Sequence, residues 1–94
     1  MRVTATPEAA DLVRERGGRL YVWLRTGRCC RSVTWLETAT EPEGGRAFRL
    51  AYADDFELYV PRHLGRLPDE LEVDVRGRRR RRIEAYWNGC AWVT

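Results

Sequence analysis

The sequence predicts an α+β domain that is mainly β, built from short mixed strands with one N-terminal helix and one short helical turn. Helical spacing of apolar residues occurs near the N-terminus, whereas apolar residues alternate with a period of two over most of the remaining chain. The length of 94 residues is enough for a single hydrophobic core. We therefore expect residues 1–94 to form one domain.

A short strand and a helix are predicted at the start of the chain. Residues 2–4 have the composition of a strand, and Thr6 is a favourable N-cap followed by Pro7 at the first helical position. Gly17 and Gly18 then end the helix, since glycine readily adopts the left-handed conformation that follows a helix C-terminus.

Alternation with a period of two begins at residue 19. Tyr21 and Trp23 lie between smaller apolar residues, so both faces of this strand are bulky and we expect both to be covered. A turn is predicted at 26–28. Trp23 and Trp35 are expected to be core residues. Further strands are predicted at 33–37, 47–52 and 56–60, and the short helical turn at 62–67.

The last segment predicts a β-hairpin with an arginine-rich connection. Apolar residues alternate over 71–75 and again over 83–87, on either side of Gly77 and an arginine run. Glu72 and Asp74 are expected on the polar face of the first strand, where Arg80 or Arg82 would pair with them across the ladder.

The arginine run is the candidate site for nucleic acid. Its members are Arg78, Arg79, Arg80, Arg81 and Arg82. They could neutralise phosphates, with Tyr86, Trp87 and Trp92 nearby for base stacking. The alternative is a solvated hairpin tip balanced by nearby carboxylates. We favour this alternative because the net charge is only +3 and no nucleic-acid motif surrounds the run.

Composition narrows the remaining classes of function. No secretory signal or apolar run of about 20 residues is present, so we expect a cytoplasmic protein without a membrane partner. Three cysteines in a reducing compartment favour free thiols or metal ligands over disulfides. His63, the single histidine, is expected in an exposed turn. Because no catalytic constellation is present, we predict that the protein is not an enzyme.

Four stretches of the chain together resemble one known family. They are VTATPEAA at 3–10, LRTGRC at 24–29, LGRLPDELE at 64–72 and IEAYWNG at 83–89. In order and spacing they are similar to the opening strand and helix, the first cysteine segment, a Leu/Gly/Asp segment and the final aromatic strand of the A-type iron–sulfur carriers (HesB/IscA-like domains). The resemblance implies the HesB-like fold and a role in iron–sulfur cluster biogenesis.

The resemblance also suggests metal ligands. Cys29 matches the first cluster cysteine of the family. The family ends in a Cys-x-Cys pair a few residues beyond an Asn-Pro; this chain has only Cys90, directly after Asn88 and Gly89, and Trp87 precedes them. Cys30 has no counterpart, so it is interpreted as a substitute ligand or a bystander.

Cluster chemistry then predicts a site shared between chains. Iron–sulfur clusters are usually held by four thiolates, and one chain offers three. Neighbouring strand residues point to opposite faces, so Cys29 and Cys30 are not expected to hold one metal together. We expect a homo-oligomer in which two chains each contribute Cys29 and Cys90, for example, to iron or an iron–sulfur cluster. A cluster donor or acceptor protein is the expected partner. Arg25, Arg28 and Arg31 would lower the pKa of the thiols.

A second hypothesis remains open. Free cysteines often behave as small buried hydrophobes, and Cys90 lies between Trp87 and Trp92. The chain would then be a cluster-free interaction or structural module on the same fold. We favour core positions for Trp87 and Trp92 over an exposed docking patch.

Overall fold

The computed structural model describes residues 1–28, 32–42, 44–65, 67–77, 79–88 and 92–93. Within these ranges the chain forms one helix and eight strands. In chain order they are β1 (Arg2–Ala5), α1 (Pro7–Glu15), β2 (Arg19–Arg28), β3 (Ser32–Ala39), β4 (Phe48–Ala53), β5 (Glu57–Pro61), β6 (Glu70–Arg76), β7 (Arg82–Trp87) and β8 (Trp92–Val93). The predicted α+β, mainly β class is confirmed.

The strands form two mixed sheets. The three-stranded sheet has the order β1-β6-β7, and the five-stranded sheet has the order β4-β5-β2-β3-β8. β1 is parallel to β6, and β5 is parallel to β2, whereas the other neighbouring pairs are antiparallel. Each parallel pair requires a crossover connection between its two strands, and the connection from β1 to its partner β6 begins with α1.

The boundaries of α1 follow from local chemistry, as predicted. Thr6 Oγ1 accepts a hydrogen bond of 3.2 Å from the backbone N–H of Ala9, and Pro7 is the first helical residue. Gly17 and Gly18 have φ values of 118° and 80°, which only glycine adopts without strain. In the ranges given above, no helix combines the length and apolar character that a membrane crossing needs.

The core lies between α1 and the inner faces of the two sheets. Its largest fully buried side chains come from the helix and from three strands, β2, β5 and β6: Leu20, Leu58, Leu71, Val13, Val22 and Val73. Burying each of these side chains stabilises the fold by about 1.5–3 kcal/mol relative to leaving it in water. Both sheets and the helix therefore depend on one shared apolar interior.

The outer face of the five-stranded sheet carries aromatic residues. Tyr21 stacks on Tyr59 with ring centroids 5.0 Å apart and meets Phe48 edge-on at 5.1 Å. The guanidinium of Arg46 lies 5.8 Å from the centroid of the Trp23 ring. Tyr21 and Trp23 are consequently buried on this face, which confirms that both faces of β2 are covered.

The turn predicted at 26–28 is wrong. β2 continues to Arg28, which lies opposite Ser32, and Gly27 lies opposite Val33. Gly27 suggested a turn, but a glycine can also remain in a strand when a long ladder of backbone pairs holds it.

The segment after β5 begins with a hydrogen-bonded turn where the short helical turn was predicted. The N–H of Leu64 donates to the carbonyl of Pro61 over 3.1 Å. His63 is exposed, as expected from its position in this turn. Arg66 lies outside the described residues.

β6 and β7 form the predicted hairpin. Val73 lies opposite Ala85, and the other alternating apolar residues are paired in the same register. Ala85 and Trp87 are buried, so the core position predicted for Trp87 is confirmed.

The charge pairing predicted across this hairpin is wrong. Arg82 Nε lies 3.4 Å from Glu84 Oε1, and Asp74 lies opposite Glu84 rather than opposite an arginine. Asp74 Oδ1 instead accepts a hydrogen bond from Thr6 Oγ1 over 3.3 Å. The hairpin connection occupies enough residues to place Arg82 opposite Arg76, so its nearest carboxylate is on its own strand.

Candidate metal centre

The candidate ligands Cys29, Cys30 and Cys90, and the neighbouring Arg31, lie outside the described residues. The described chain fixes the backbone that leads to and from them. Two pairs of residues define these approaches: Arg28 and Ser32 around the first segment, and Asn88 and Trp92 around the second.

The residues that flank the first segment end the ladder between β2 and β3. The antiparallel ladder runs without interruption from the pair Tyr21 and Ala39 to the pair Arg28 and Ser32. Arg25 is exposed and lies opposite Trp35 in this ladder. Both strands therefore extend to Arg28 and Ser32, the residues that flank 29–31 in the sequence.

The second segment begins at a backbone clamp. The N–H of Asn88 donates to the carbonyl of Glu70 over 2.8 Å, and Asn88 Oδ1 accepts from the N–H of Glu70 over 2.9 Å. Asn88 has a φ of 48°, in the left-handed region that asparagine tolerates better than most residues. Its hydrogen bonds fix the turn that follows β7, two residues before Cys90 in the sequence. Sequence analysis missed this clamp because its partner lies 18 residues away.

The second segment ends on the five-stranded sheet. Trp92 lies opposite Trp35, and Val93 lies opposite Thr34, so β8 runs towards Ser32. Trp35 is three residues beyond Ser32, which corresponds to roughly 10 Å along β3 at about 3.3 Å per residue. Ser32, which follows the first segment, lies in β3, and Trp92, which follows the second, lies opposite Trp35 of the same strand. The two positions are separated by roughly 10 Å along β3.

The described part of the chain has no group of three or more histidine, cysteine, aspartate or glutamate side chains placed to hold a metal ion. Its carboxylates contact other groups: Glu37 Oε1 accepts from Trp35 Nε1 over 2.7 Å, and Glu84 pairs with Arg82. The described acidic residues therefore provide no competing metal centre.

The arginine run forms an exposed hairpin tip. Arg78 lies outside the described residues, and Arg79 to Arg82 are exposed. Arg82 is paired with Glu84, while Arg16 Nη2 donates to the carbonyl of Arg81 over 3.1 Å. The exposure of these arginines agrees with the solvated hairpin tip that we favoured over a nucleic-acid site. Trp87, one of the proposed stacking partners for nucleic acid, is buried.

Tyr86, a second proposed stacking partner, belongs to a hydrogen-bonded chain of side chains. Its hydroxyl donates to Glu84 Oε2 over 2.8 Å and accepts from Arg76 Nε over 3.2 Å. The hydrogen bond to Tyr86 raises the pKa of Arg76 most, and charge interactions with Tyr86 and then with Glu84 raise it further. The Tyr86 hydroxyl is thereby held between Glu84 on its own strand and Arg76 on β6. The side chain of Trp92 lies outside what the structure describes.

A cleft that the sequence did not reveal lies beside these residues. It has a volume of about 530 Å³ and is lined by residues 35–40 of β3 and its following loop, by residues 82–86 of β7, and by Arg16. We call it the β3–β7 cleft. Thr38 Oγ1 donates to the carbonyl of Ile83 over 2.6 Å and joins its two sides. Its two strands are far apart in the chain, which is why local sequence patterns did not predict it.

No protein-family model matches the chain, and no curated protein sequence matches it. The solved structures that share its fold include the following two. Escherichia coli SufA, described as involved in biosynthesis of iron–sulfur clusters, is 22% identical with a TM-score of 0.57 over 93% of this chain and 81% of SufA. IscA with the [2Fe–2S] cluster is 18% identical with a TM-score of 0.50 over 89% of this chain and 81% of IscA. The fold expected from the resemblance to A-type carriers is confirmed.

Proposed function

We propose that this chain is a carrier of iron or of an iron–sulfur cluster rather than an enzyme. The observation that supports this best is the likeness in fold to SufA and IscA, which extends over 93% and 89% of the chain. The ladder of β2 and β3 ends at Arg28 and Ser32, the residues that flank the Cys29 segment in the sequence. The proposed setting is the cytoplasm, where thiols stay reduced and available as ligands.

We further propose that two subunits share the bound iron or cluster. Cys29 is the principal ligand, Cys90 is the second, and Cys30 is a bystander or substitute. Metal–thiolate bonds are only about 2.3 Å long, whereas the described ends of the two segments are separated by roughly 10 Å along β3. A second chain related by a two-fold axis supplies the missing thiolates, which a four-thiolate cluster requires.

Sharing a cluster couples its binding to dimer formation. A ligand that binds only the dimer stabilises the dimer by mass action, and its removal returns the chains to monomers. This coupling suits a carrier, because an acceptor protein that competes for one of the thiolates separates the subunits and releases the cluster. The expected partners are therefore a second copy of the chain and a cluster donor or acceptor.

Anaerobic reconstitution with ferrous iron and sulfide tests the proposal. The wild-type chain should become coloured, retain both elements after gel filtration and elute as a dimer. Cys29→Ser and Cys90→Ser should each reduce retained iron at least ~10-fold and remain monomeric, since a lost ligand leaves the shared site incomplete. Cys30→Ser is the matched control and should retain the cluster.

Thermal unfolding of the cluster-free variants separates ligation from packing. If Cys29 and Cys90 are ligands, their serine variants should unfold close to the wild-type temperature in the absence of iron. A large drop in that temperature would instead assign the cysteines to the core. A wild-type chain that takes up neither iron nor sulfide would refute the carrier proposal.

A cluster-free interaction module on the same fold is the second candidate. The β3–β7 cleft favours it, because its lining residues offer backbone and charged groups to a partner without any metal. The two functions are separable: the first depends on the thiols, and the second depends on the cleft.

A further inference from the structure

Asn88 closes the ladder between β6 and β7 with its side chain. The register that pairs Leu71 with Trp87 makes Glu70 and Asn88 the next rung. In a regular hydrogen-bonded rung of an antiparallel pair, the two residues exchange two backbone hydrogen bonds. Here the N–H of Asn88 donates to the carbonyl of Glu70 over 2.8 Å, whereas the N–H of Glu70 donates to Asn88 Oδ1 over 2.9 Å. A side-chain oxygen thus takes the place of a backbone carbonyl in the last rung.

The backbone conformation of Asn88 explains why a side chain is used. Its φ is 48°, and among the residues that the structure describes it is the one non-glycine residue with a positive φ. This left-handed conformation turns the chain out of the extended path of β7. Glycine would adopt the same φ more readily, but it carries no acceptor for the N–H of Glu70. Asparagine therefore ends the strand sharply and still keeps the last rung bonded.

The chain passes from one sheet to the other after this rung. β7 belongs to the three-stranded sheet and β8 to the five-stranded sheet, where Trp92 lies opposite Trp35. Asn88 and Trp92 are four residues apart, and a chain of that length spans at most about 14 Å. Cys90 is two residues from each of them in the sequence. The second candidate ligand therefore belongs to a short connection with an anchor on each sheet.

The packing of the core does not account for the first anchor. Trp87 is the last buried residue of β7, whereas Asn88 is exposed. A non-glycine residue in the left-handed region carries conformational strain, and such strain is typical of functional sites. The clamp formed by Asn88 and Glu70 consequently holds the part of the chain that comes after the core, which is the part that leads to Cys90.

We propose that Asn88 is a positioning residue for Cys90, an inference that rests on the proposed role of Cys90 as the second ligand. The clamp fixes where and in which direction the chain leaves β7, and the pairing of Trp92 fixes its arrival at β8. The thiol then loses little conformational freedom when it binds iron or a cluster. Residues that orient a metal ligand without touching the metal typically contribute roughly 10–100-fold to affinity.

Thiol reactivity tests the positioning without any cluster. In a Cys29→Ser/Cys30→Ser chain, Cys90 is the one remaining thiol, and its alkylation by iodoacetamide is followed by mass spectrometry. Because reactivity depends on exposure and local charge, the rate should differ at least ~5-fold between the folded chain and the chain unfolded in urea. Equal rates in the two states would mean that Cys90 is not held, and would overturn the proposal.

Substitutions at Asn88 then identify the group that holds Cys90. Asn88→Gly keeps the left-handed φ and loses the acceptor, so it should shift the alkylation rate at least ~3-fold towards the unfolded value. Asn88→Asp retains a side-chain oxygen and tolerates the same φ, so it should keep the rate within about 2-fold of the parent chain. A rate that Asn88→Gly leaves unchanged would contradict the positioning role.

Thr6→Ala is the control for loss of stability. Thr6 caps α1 and contacts Asp74, four residues along β6 from the clamp. Its replacement destabilises the chain and leaves the clamp intact, so the alkylation rate of Cys90 should stay within about 2-fold of the parent chain. Equal shifts for Thr6→Ala and Asn88→Gly would trace the effect to general stability and would overturn the proposal.

Glu70→Ala is the control for the partner residue. The side chain of Glu70 accepts a hydrogen bond from Thr4 Oγ1, whereas the clamp uses only the backbone groups of Glu70. This variant should therefore also leave the alkylation rate of Cys90 within about 2-fold of the parent chain, since both hydrogen bonds of the clamp persist.

The reconstituted protein provides a second readout. Chains loaded anaerobically with ferrous iron and sulfide are challenged with EDTA and followed by absorbance and visible circular dichroism. Asn88→Gly should release its iron at least ~10-fold faster than the wild type and change the visible circular dichroism, because the orientation of one ligand is lost. Thr6→Ala should match the wild type in both. Equal release by Asn88→Gly and the wild type would contradict the proposal.

The two readouts keep this inference separate from the carrier proposal. A wild-type chain that takes up neither iron nor sulfide refutes the carrier proposal, and the alkylation rates still decide whether Asn88 holds Cys90. A wild-type chain that loads normally, with the same alkylation rate in the Asn88→Gly chain as in its parent, retains the carrier function and removes the positioning role from Asn88.

Discussion

Gly77 shows how strongly a single backbone position restricts the choice of residue. It starts the connection between β6 and β7 with a φ of 98°. A Cβ at this position would overlap the carbonyl oxygen of Arg80 across the tight turn. Any side chain at this position is therefore disfavoured for two reasons: the backbone is left-handed, and the chain approaches itself closely there.

Gly77→Ala should lower the free energy of unfolding by at least about 2 kcal/mol, since about 1–2 kcal/mol arises from the positive φ and the overlap adds strain. Gly45→Ala is the matched control, because Gly45 has a φ of 83° and a Cβ added there would meet no other atom within 4 Å. It should cost only about 1–2 kcal/mol. Urea unfolding followed by far-UV circular dichroism measures both. Equal losses for the two variants would mean that the turn relaxes to admit the methyl group.

Residue-scale features were predictable where their cause is local. Thr6 and Pro7 identify a helix start, and Gly17 identifies its end, because each acts through the backbone next to it. From the sequence, Asn88 is notable only as part of the pattern that resembles the A-type carriers. Its role depends on Glu70, which folding brings opposite it, and no local rule connects the two.

At the scale of elements, Thr6 joins α1 to the three-stranded sheet. Its hydroxyl accepts from the N–H of Ala9 and donates to Asp74 Oδ1, and its own N–H donates to the carbonyl of Val73. One side chain thus caps the helix and contacts β6. The position of the helix over the sheet depends on this junction as well as on apolar packing.

Thr6→Ala should destabilise the chain by about 1–2 kcal/mol, because it removes the cap together with the contact to Asp74. Thr6→Ser retains the hydroxyl and should cost less than about 0.5 kcal/mol. Both values come from urea unfolding of the cluster-free chain. If serine proves as costly as alanine, the methyl group of Thr6 rather than its hydroxyl stabilises the junction.

Element boundaries and strand pairings were predictable where local sequence patterns determine them, and not where they depend on residues far apart in the chain. The alternation of apolar residues predicted the β6–β7 hairpin and its register. The turn assigned to 26–28 was wrong, since pairing with β3 keeps Gly27 in the strand. Arg82 was expected to pair across the ladder, but the length of the connection sets it beside Glu84. The cleft between β3 and β7 depends on packing of two sheets, which single-segment patterns cannot specify.

On the scale of the whole molecule, the two sheets and the helix share one interior. Leu58 of the five-stranded sheet and Leu71 of the three-stranded sheet are both fully buried in the same cluster as Val13 of α1. No sheet has a separate apolar core among the described residues. We therefore propose that residues 1–94 unfold as a single cooperative domain.

Leu58→Ala tests this cooperativity. It should lower the free energy of unfolding by about 2–5 kcal/mol through lost burial and the cavity left behind. That is a large fraction of the roughly 5–15 kcal/mol available to a domain of this kind. Leu50→Ala is the control, because Leu50 is 50% exposed and should change stability by less than about 0.5 kcal/mol.

The measurement compares two probes of the same urea transition. Tryptophan fluorescence reports Trp23, Trp35 and Trp92 in the five-stranded sheet and Trp87 in the three-stranded sheet, and far-UV circular dichroism reports the backbone of both sheets. Because Leu58 belongs to the shared core, its replacement should shift the two curves together and leave them coincident. A fluorescence transition that separates from the circular dichroism transition would mean that one sheet survives without the other, and the single-domain proposal would fail.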